Sequence, residues 1–325
     1  MSYDALLVVS FGGPEGMDDV LPFLENVLRG RNVPRERMLQ VAKHYEMFGG
    51  VSPINQQNRN LIAALEKELE RNGPRLPIYW GNRNWHPLLT DTVARMTEDG
   101  IKNALAFVTS AYSSYSSCRQ YLENISDAQS QVGPDAPRIE KLRAFYNHPL
   151  FIEANVAHVR AALAQVSDAH LAFTAHSIPE SMAVHCDYAM QLAETGGLIA
   201  HELNIDNWQL VYQSRSGSPM QPWLGPDVLD HLRTLAGEGV KEVVVAPIGF
   251  VSDHMEIVYD LDFEAQNVAR ELGLKMVRAA TAGTHPSFVK MIRELMLERI
   301  DNAPARFVGS HRARNSLCAP DCCVS

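Results

Sequence analysis

Short apolar runs alternate with longer amphipathic stretches along the chain. The apolar runs end at glycine, proline or polar residues, as buried strands do before a turn. They cover residues 5–11, 78–80, 104–109, 170–174, 209–212 and 242–247. Between them, a stretch such as residues 61–71 has helical periodicity and stops before Asn72 and Gly73, a typical C-terminal helix signal. Strands that alternate with helices predict an α/β fold built on parallel sheets.

The pattern also repeats within the chain. Residues 98–108 are echoed by 237–247, and residues 87–95 by 226–234, in both cases at an offset of 139 residues. Helix–turn–strand units resemble one another in general, but a shared offset favours a duplicated fold. We expect two similar α/β domains, residues 1–147 and 148–308, followed by a tail, residues 309–325. Ligands of such a protein bind in the cleft, beyond the carboxyl ends of the strands.

Composition and charge narrow the function classes. The 325 residues are 46% hydrophobic and 21% charged, which is typical of a soluble globular protein rather than a disordered chain. The net charge of −9 argues against a general nucleic-acid binder, which usually carries a basic face. No apolar run reaches the ~18 residues that span a bilayer, and Asp4 interrupts the region where a signal peptide is apolar. We therefore expect a cytoplasmic protein with no stable membrane insertion.

Two loops after predicted strands carry candidate catalytic groups. His176 follows a strand, where α/β proteins place functional side chains, although a lone histidine is more often structural. Farther along, Glu256, Asp260 and Glu264 are spaced four residues apart, which puts three acids on one face of an α-helix. Such a row is usually a solvated surface. Because this one begins beside a strand end, binding of a divalent cation, which removes the repulsion, is the second interpretation.

The five cysteines are unevenly placed, with three of them in the last eight residues. They are Cys118, Cys186, Cys318, Cys322 and Cys323. An odd number in a cytoplasmic protein disfavours a disulfide framework. The three tail thiolates, with a fourth ligand from Cys118 or Cys186, would suit a [2Fe–2S] cluster or a structural zinc ion. The other interpretation is that the thiols of the tail are adventitious and bind no metal.

Four motifs on predicted loops occur in a specific order. They are Phe48-Gly-Gly-Val-Ser-Pro53, Ala175-His-Ser-Ile-Pro-Glu180, Gln213-Ser…Pro222-Trp-Leu-Gly-Pro226 and Ser252-Asp-His-Met-Glu256. Together they resemble the ferrochelatases, enzymes that insert Fe²⁺ into a porphyrin, and the resemblance covers nearly the whole chain. It implies a class II chelatase fold, in which two Rossmann-like domains of parallel sheets flanked by helices enclose a porphyrin cleft. It also implies that His176 and Glu256 face each other across the macrocycle as the catalytic pair.

The resemblance assigns further roles in the cleft. His176 and Glu256 are expected to bind the substrate iron or accept the pyrrole protons. The chemistry itself adds Asp260 and Glu264 as an iron relay, because iron must lose its water stepwise and the row offers successive oxygen ligands. Positions that bind the porphyrin in the family match the following residues: Phe11, Arg29, Tyr45, Ser52 and Tyr121. Some relatives have a tyrosine where this chain has Phe11, so an axial oxygen ligand is replaced there by ring packing.

The tail thiols and the lack of an apolar membrane-binding lip resemble the soluble coproporphyrin ferrochelatases of the actinobacterial type. In that type Cys118, Cys318, Cys322 and Cys323 hold a [2Fe–2S] cluster, while Cys186 lies outside the pattern. We therefore expect Fe²⁺ and coproporphyrin III as substrates, coproheme as product and a place in haem biosynthesis.

Three other functions stay open at this point. They are Fe²⁺ insertion into protoporphyrin IX, a cobalt chelatase of the same fold, and a porphyrin or iron–sulfur sensor without turnover. The resemblance also implies transient contact with neighbouring enzymes of haem synthesis, and the sequence does not determine the oligomeric state.

Overall fold

The computed structural model describes residues 2–30, 33–216 and 220–314, and within them two parallel four-stranded sheets follow each other along the chain. The first has the order β2-β1-β3-β4 and consists of β1 (Ala5–Ser10), β2 (Ile78–Asn82), β3 (Asn103–Val108) and β4 (Arg138–Lys141). The second has the order β6-β5-β7-β8 and consists of β5 (Ala169–His176), β6 (Trp208–Gln213), β7 (Glu242–Ala246) and β8 (Lys275–Arg278). The two orders are the same, as an internal repeat predicts, and the predicted α/β fold is confirmed. The boundary at residue 147 stays a prediction.

Helices cover both sheets. The first half contains α1 (Met17–Val27), α2 (Arg35–Glu46), α3 (Ile54–Asn72), α4 (Leu89–Glu98), the π-helix π1 (Tyr115–Arg119) and α5 (Gln120–Val132). The second half contains α6 (Pro149–Leu163), α7 (Glu180–Ala183), α8 (Tyr188–Leu203), α9 (Val228–Gly237), α10 (Met255–Ile257), the π-helix π2 (Val258–Ala265), α11 (Gln266–Glu271) and α12 (Pro286–Ile300). Helix α12 packs against both α3 and α6 and so joins the halves. Among the described helices, none is long and apolar enough to cross a bilayer.

A continuous core fixes the two sheets relative to each other. Every residue of β1 is fully buried, as expected for a strand covered on both faces. Phe107 stacks on Phe145, which meets Phe151 edge to face, and the ring centroids of both pairs are 5.4 Å apart. Burial of each such ring contributes about 1.5–3 kcal/mol. Because the core is shared, residues at the carboxyl ends of both sheets meet around one cavity.

The C-terminal segment crosses the junction between the halves. The side-chain amide of Asn147 donates to the carbonyl of His311 over 2.8 Å, and the backbone N–H of Val308 donates to the carbonyl of Asn147 over 3.0 Å. Arg314, the last described residue, forms an ion pair with Asp187 immediately before α8. The described part of the C-terminal segment therefore ends beside the N-terminal end of α8.

Candidate active site

A cavity of about 1450 Å³ opens between the halves and is lined by residues that follow strands of both sheets. Phe11 follows β1, Arg83 follows β2, and His176 ends β5. The space exceeds the 300–1,000 Å³ usual for small-molecule sites. A flat ligand of macrocycle size can therefore enter the cleft between the two sheets, where the strand pattern places it.

The ring of His176 is oriented by the backbone of the next residue. Its Nδ1 lies 2.5 Å from the carbonyl oxygen of Ser177, and the hydroxyl of Tyr188 donates to the carbonyl of His176 over 3.0 Å. Because a carbonyl oxygen only accepts, the proton of the neutral ring is on Nδ1, and Nε2 carries the lone pair. In this neutral form the ring can accept a proton at Nε2.

Glu256 lies in α10, close to two histidines. His254 Nδ1 is 3.2 Å from Glu256 Oε2, and both His254 and His176, in their protonated forms, act electrostatically on this carboxyl group. Burial acts to raise the pKa of Glu256, but these two positive charges and a backbone hydrogen bond outweigh burial, so the pKa is lower than usual. The group is therefore a carboxylate at neutral pH, able to bind a cation.

The acidic row continues from Glu256 into π2 rather than along a regular α-helix, so the expected α-helix is wrong for residues 258–265. The hydroxyl of Ser214 donates to Asp260 Oδ2. Burial, aided by Glu256 and Glu264, raises the pKa of Asp260 to about 7, and burial followed by the charge of Asp227 raises the pKa of Glu264. All three acids of the row line the cavity. The three acids follow one another along the cavity wall. In the described part of the chain, no three His, Cys, Asp or Glu side chains are close enough together to form a metal-binding site.

Four of the five residues matched to porphyrin-binding positions line the cavity, namely Phe11, Arg29, Tyr45 and Tyr121. Tyr45 is buried beside the acidic row, and its pKa is raised well above 10 by burial and then by Glu256 and Asp260, so the phenol stays neutral. Ser52 lies behind the wall instead. A Cβ at Gly13 would come within 2.8 Å of the Ser52 hydroxyl, and the backbone N–H of Ser52 donates to the carbonyl of Pro14.

Arg83 is a cavity residue that the sequence motifs do not identify. Its guanidinium carbon lies 4.5 Å from the ring centroid of Tyr121 and 5.6 Å from that of Phe11, and its Nε donates to Asn124 Oδ1 over 2.6 Å. Contact with these two rings fixes the positively charged guanidinium group of Arg83 in the wall of the cleft. The sequence signal that could have identified Arg83 is its position directly after β2, which ends at Asn82.

Trp223, which the sequence places in the Pro- and Gly-rich loop after β6, also lines the cavity. Its indole Nε1 is buried and has no hydrogen-bond partner among the described residues. A buried N–H without a partner is costly and is expected to be satisfied by a ligand or water.

Of the four cysteines predicted to bind the cluster, Cys118 belongs to the described residues. The other three lie outside them, namely Cys318, Cys322 and Cys323. Cys118 is buried in π1. In the same π-helix, Ser116 Oγ lies 3.7 Å from Met182 Sδ in α7. Just before it, Ser113 donates its backbone N–H to Gln191 in α8. The segment that carries Cys118 therefore packs against α7 and α8.

Comparisons with known proteins identify relatives of this chain. A ferrochelatase from Rhodopirellula baltica is 55% identical over 330 residues, which cover 99% of this chain and 93% of that protein. A coproporphyrin III ferrochelatase from Nocardia farcinica is 49% identical and covers 100% of this chain and 97% of its own length. In structure, the cobalt complex of the sirohydrochlorin chelatase SirB from Bacillus subtilis subspecies spizizenii matches with a TM-score of 0.55 at 12% identity, over 93% of this chain and 97% of SirB, which shows a shared fold.

The same result follows from the family comparison. A sequence model of the ferrochelatase family matches residues 3–300, which include both sheets and every described residue of the candidate site. The chain belongs to the ferrochelatase family.

Proposed function

We propose that this protein inserts Fe²⁺ into coproporphyrin III to give coproheme in haem biosynthesis. The observation that carries the proposal is the placement of His176 and Glu256 in one cavity of macrocycle size, with His176 Nδ1 turned to the carbonyl of Ser177. The names of relatives at about half identity over the full chain support the same reaction.

Metal insertion needs two pyrrole protons to leave and the ring nitrogens to turn towards the metal. A flat ring presents no easy path to a cation, so bending the ring exposes nitrogen lone pairs. Contacts between the rest of the macrocycle and the cleft can stabilise the bent form. His176 Nε2 is the base that accepts a pyrrole proton, because its Nδ1 proton is engaged with Ser177.

Iron approaches along the acidic row. Glu264, Asp260 and Glu256 offer successive oxygen ligands, and oxygen ligands suit a hydrated Fe²⁺ ion that must lose its water stepwise. A closed cage would retain the ion. An open row of single carboxylates binds it weakly at each step and allows transfer to the porphyrin.

The cations of the cleft favour a substrate with four carboxylates. Arg29, Arg37, Arg83 and Arg215 line the cavity. Coproporphyrin III carries four propionates, whereas protoporphyrin IX has two vinyl groups in place of two of them. Because an arginine pairs with a carboxylate through two parallel hydrogen bonds, several arginines in one cleft suit the tetracarboxylate.

We also infer that Cys118, Cys318, Cys322 and Cys323 ligate a [2Fe–2S] cluster. Support comes from the buried position of Cys118 and from the ion pair of Arg314 with Asp187, four residues before Cys318. When bound, the cluster would cross-link the tail to π1 and so stabilise the C-terminal segment. A cytoplasmic location and transient contact with neighbouring enzymes of haem synthesis are further proposals that come from the sequence.

The test of the reaction is anaerobic mixing of the purified protein with Fe²⁺ and coproporphyrin III. Free-base porphyrin fluoresces and the iron product does not. We expect enzyme-dependent loss of emission, faster than with protoporphyrin IX, and no loss with His176→Ala or Glu256→Gln, which should still bind the porphyrin. Tight porphyrin binding by the native protein without loss of emission would instead identify a binding or sensor protein.

A further inference from the structure

Gln213 occupies a distinctive place in the wall of the cavity. It ends β6 and lies opposite His176 in the register of the parallel sheet, and its carbonyl accepts the backbone N–H of Ser177 over 2.8 Å. Its side chain is 99% buried but belongs to the cavity lining. The residue thus connects the strand of His176 with the start of the acidic row.

The orientation of the Gln213 amide is determined by its neighbour. Nε2 lies 2.5 Å from the backbone carbonyl of Glu256. A carbonyl accepts and never donates, so the nitrogen must be on this side and Oε1 on the other. The same amide stabilises the charged form of Asp260. Gln213 therefore lies beside both Glu256 and Asp260.

The other end of this amide lacks a partner. Oε1 is buried and accepts no hydrogen bond from any described residue. Buried amide oxygens are almost always satisfied, and one that is not indicates a ligand or a bound water. An amide oxygen is also a good ligand for a hard or borderline divalent cation, the same class of ligand as the carboxylates next to it.

We propose that Gln213 Oε1 is an oxygen ligand for Fe²⁺ as the ion passes from Asp260 to Glu256. The proposal rests on the iron-inserting function argued above and adds a neutral ligand to the acidic row. A neutral oxygen at this point completes the coordination of the ion without adding negative charge, which favours release of the ion to the porphyrin nitrogens.

Two substitutions separate the oxygen ligand from the hydrogen bond to Glu256. Gln213→Leu and Gln213→Glu both remove the N–H that donates to the Glu256 carbonyl, but only Gln213→Glu keeps an oxygen at the end of the side chain. Steady-state insertion is measured while Fe²⁺ and coproporphyrin III are varied separately. Binding of Co²⁺ to the porphyrin-free protein, followed by its visible absorption, gives a readout independent of turnover.

We expect Gln213→Leu to raise the KM for Fe²⁺ about 10-fold or more and to weaken Co²⁺ binding similarly, with an unchanged KM for coproporphyrin III. Gln213→Glu should retain most of the metal affinity. The control is Thr174→Val, which removes an equally buried and unpartnered oxygen from the neighbouring strand β5, at a position outside the cavity lining. It should leave both KM values unchanged.

Three outcomes would overturn the proposal. Equal increases in the KM for Fe²⁺ in Gln213→Leu and Gln213→Glu would assign the effect to the lost hydrogen bond. An equal increase in Thr174→Val would assign it to disturbance of the sheet. Normal affinity of Gln213→Leu for Fe²⁺ and Co²⁺ would mean that Gln213 Oε1 is not a metal ligand. Failure of the native protein to insert iron would instead refute the proposed function, and the Co²⁺ titration would still test Gln213.

Discussion

The hydroxyl of Tyr188 donates a hydrogen bond to the backbone carbonyl of His176 over a distance of 3.0 Å. Tyr188 is the first residue of α8, and the residue before it, Asp187, pairs with Arg314. The backbone position of the candidate base is therefore fixed by the same helix end that anchors the C-terminal segment. Burial raises the pKa of Tyr188 well above 10, so this donor keeps its proton throughout the physiological range.

Replacement of Tyr188 by phenylalanine tests this link. Tyr188→Phe keeps the ring in the core and removes only the donor, so we expect a loss of about 1 kcal/mol in the free energy of unfolding. The looser His176 backbone should lower kcat while the KM for coproporphyrin III stays unchanged. Urea unfolding and steady-state kinetics measure the two effects, and a native kcat in the variant would mean that the bond does not position His176.

Arg83 is expected to contribute to recognition of the porphyrin carboxylates. Arg83→Met keeps much of the side-chain volume and removes the charge, so the KM for coproporphyrin III should rise about 10-fold, since hydrogen bonds to charged groups contribute about 1.5–3 kcal/mol. The effect on kcat should be smaller. Arg95→Met, which removes an exposed arginine outside the cavity lining, is the matched control. Similar KM values in the two variants would exclude a carboxylate contact at Arg83.

The sequence predicts six of the eight strands in the two sheets. The six apolar runs correspond to β1, β2, β3, β5, β6 and β7, whereas β4 and β8 escape the hydrophobic pattern. These two strands lie at sheet edges and read Arg-Ile-Glu-Lys and Lys-Met-Val-Arg. The strands β2 and β6 also lie at edges, but they keep a run of apolar or aromatic residues. In β4 and β8 charged side chains leave only one or two apolar residues, so hydrophobicity alone does not identify these two edge strands.

Residues of the candidate site can be predicted from the sequence where their position along the chain marks them. They are harder to predict where tertiary packing determines their place in the cavity. His176 ends a strand, and the acidic row has a regular spacing after the loop that follows β7, so both can be singled out from the sequence. The π-helical turn of residues 258–265 cannot, because the spacing of its acids also fits an α-helix. Arg83 depends on stacking against Phe11 and Tyr121, which come from distant segments. Contacts of this kind arise only from the tertiary fold.

The KM for Fe²⁺ should depend on pH through Asp260. Burial, with Glu256 and Glu264, raises its pKa to about 7, so the group is largely protonated at pH 6 and ionised at pH 8. A carboxylate binds a cation and a carboxylic acid does not, so the KM for Fe²⁺ should fall as the pH rises through 7. Asp260→Asn should have a high KM with a weaker pH dependence. Anaerobic kinetics between pH 6 and 8 test this, and an identical pH profile in the variant would contradict it.

Acid should destabilise the second half through the pair His170 and His231, whose Nε2 atoms lie 3.2 Å apart in a buried site. Burial, and then the nearby His170, lowers the pKa of His231 from 6.5 to about 4. The unfolded chain therefore binds a proton that the folded chain does not, and stability is lost as the pH falls from about 6.5 towards 4. At pH 5 the loss is about 2 kcal/mol relative to neutral pH.

His231→Gln retains a polar side chain that does not titrate in this range. Urea unfolding at pH 7.5 and pH 5.0 should show a smaller difference in the free energy of unfolding for the variant than for the native protein. The same difference in both proteins would place the acid sensitivity elsewhere.

The cysteines give a matched pair of substitutions for the proposed cluster. Cys118 is a proposed ligand, and Cys186, at the end of the loop before α8, is not. Cys118→Ser should therefore remove the bound iron and sulfide and the visible absorption of a [2Fe–2S] cluster, whereas Cys186→Ser should keep them. Because the cluster would attach the tail to π1, its loss should also raise the rate of proteolysis after Arg312 or Arg314. Iron and sulfide analysis together with limited trypsin digestion measures both effects. Loss of the cluster in Cys186→Ser but not in Cys118→Ser would reassign the fourth ligand to the second described cysteine, and a colourless native protein purified without oxygen would refute the cluster itself.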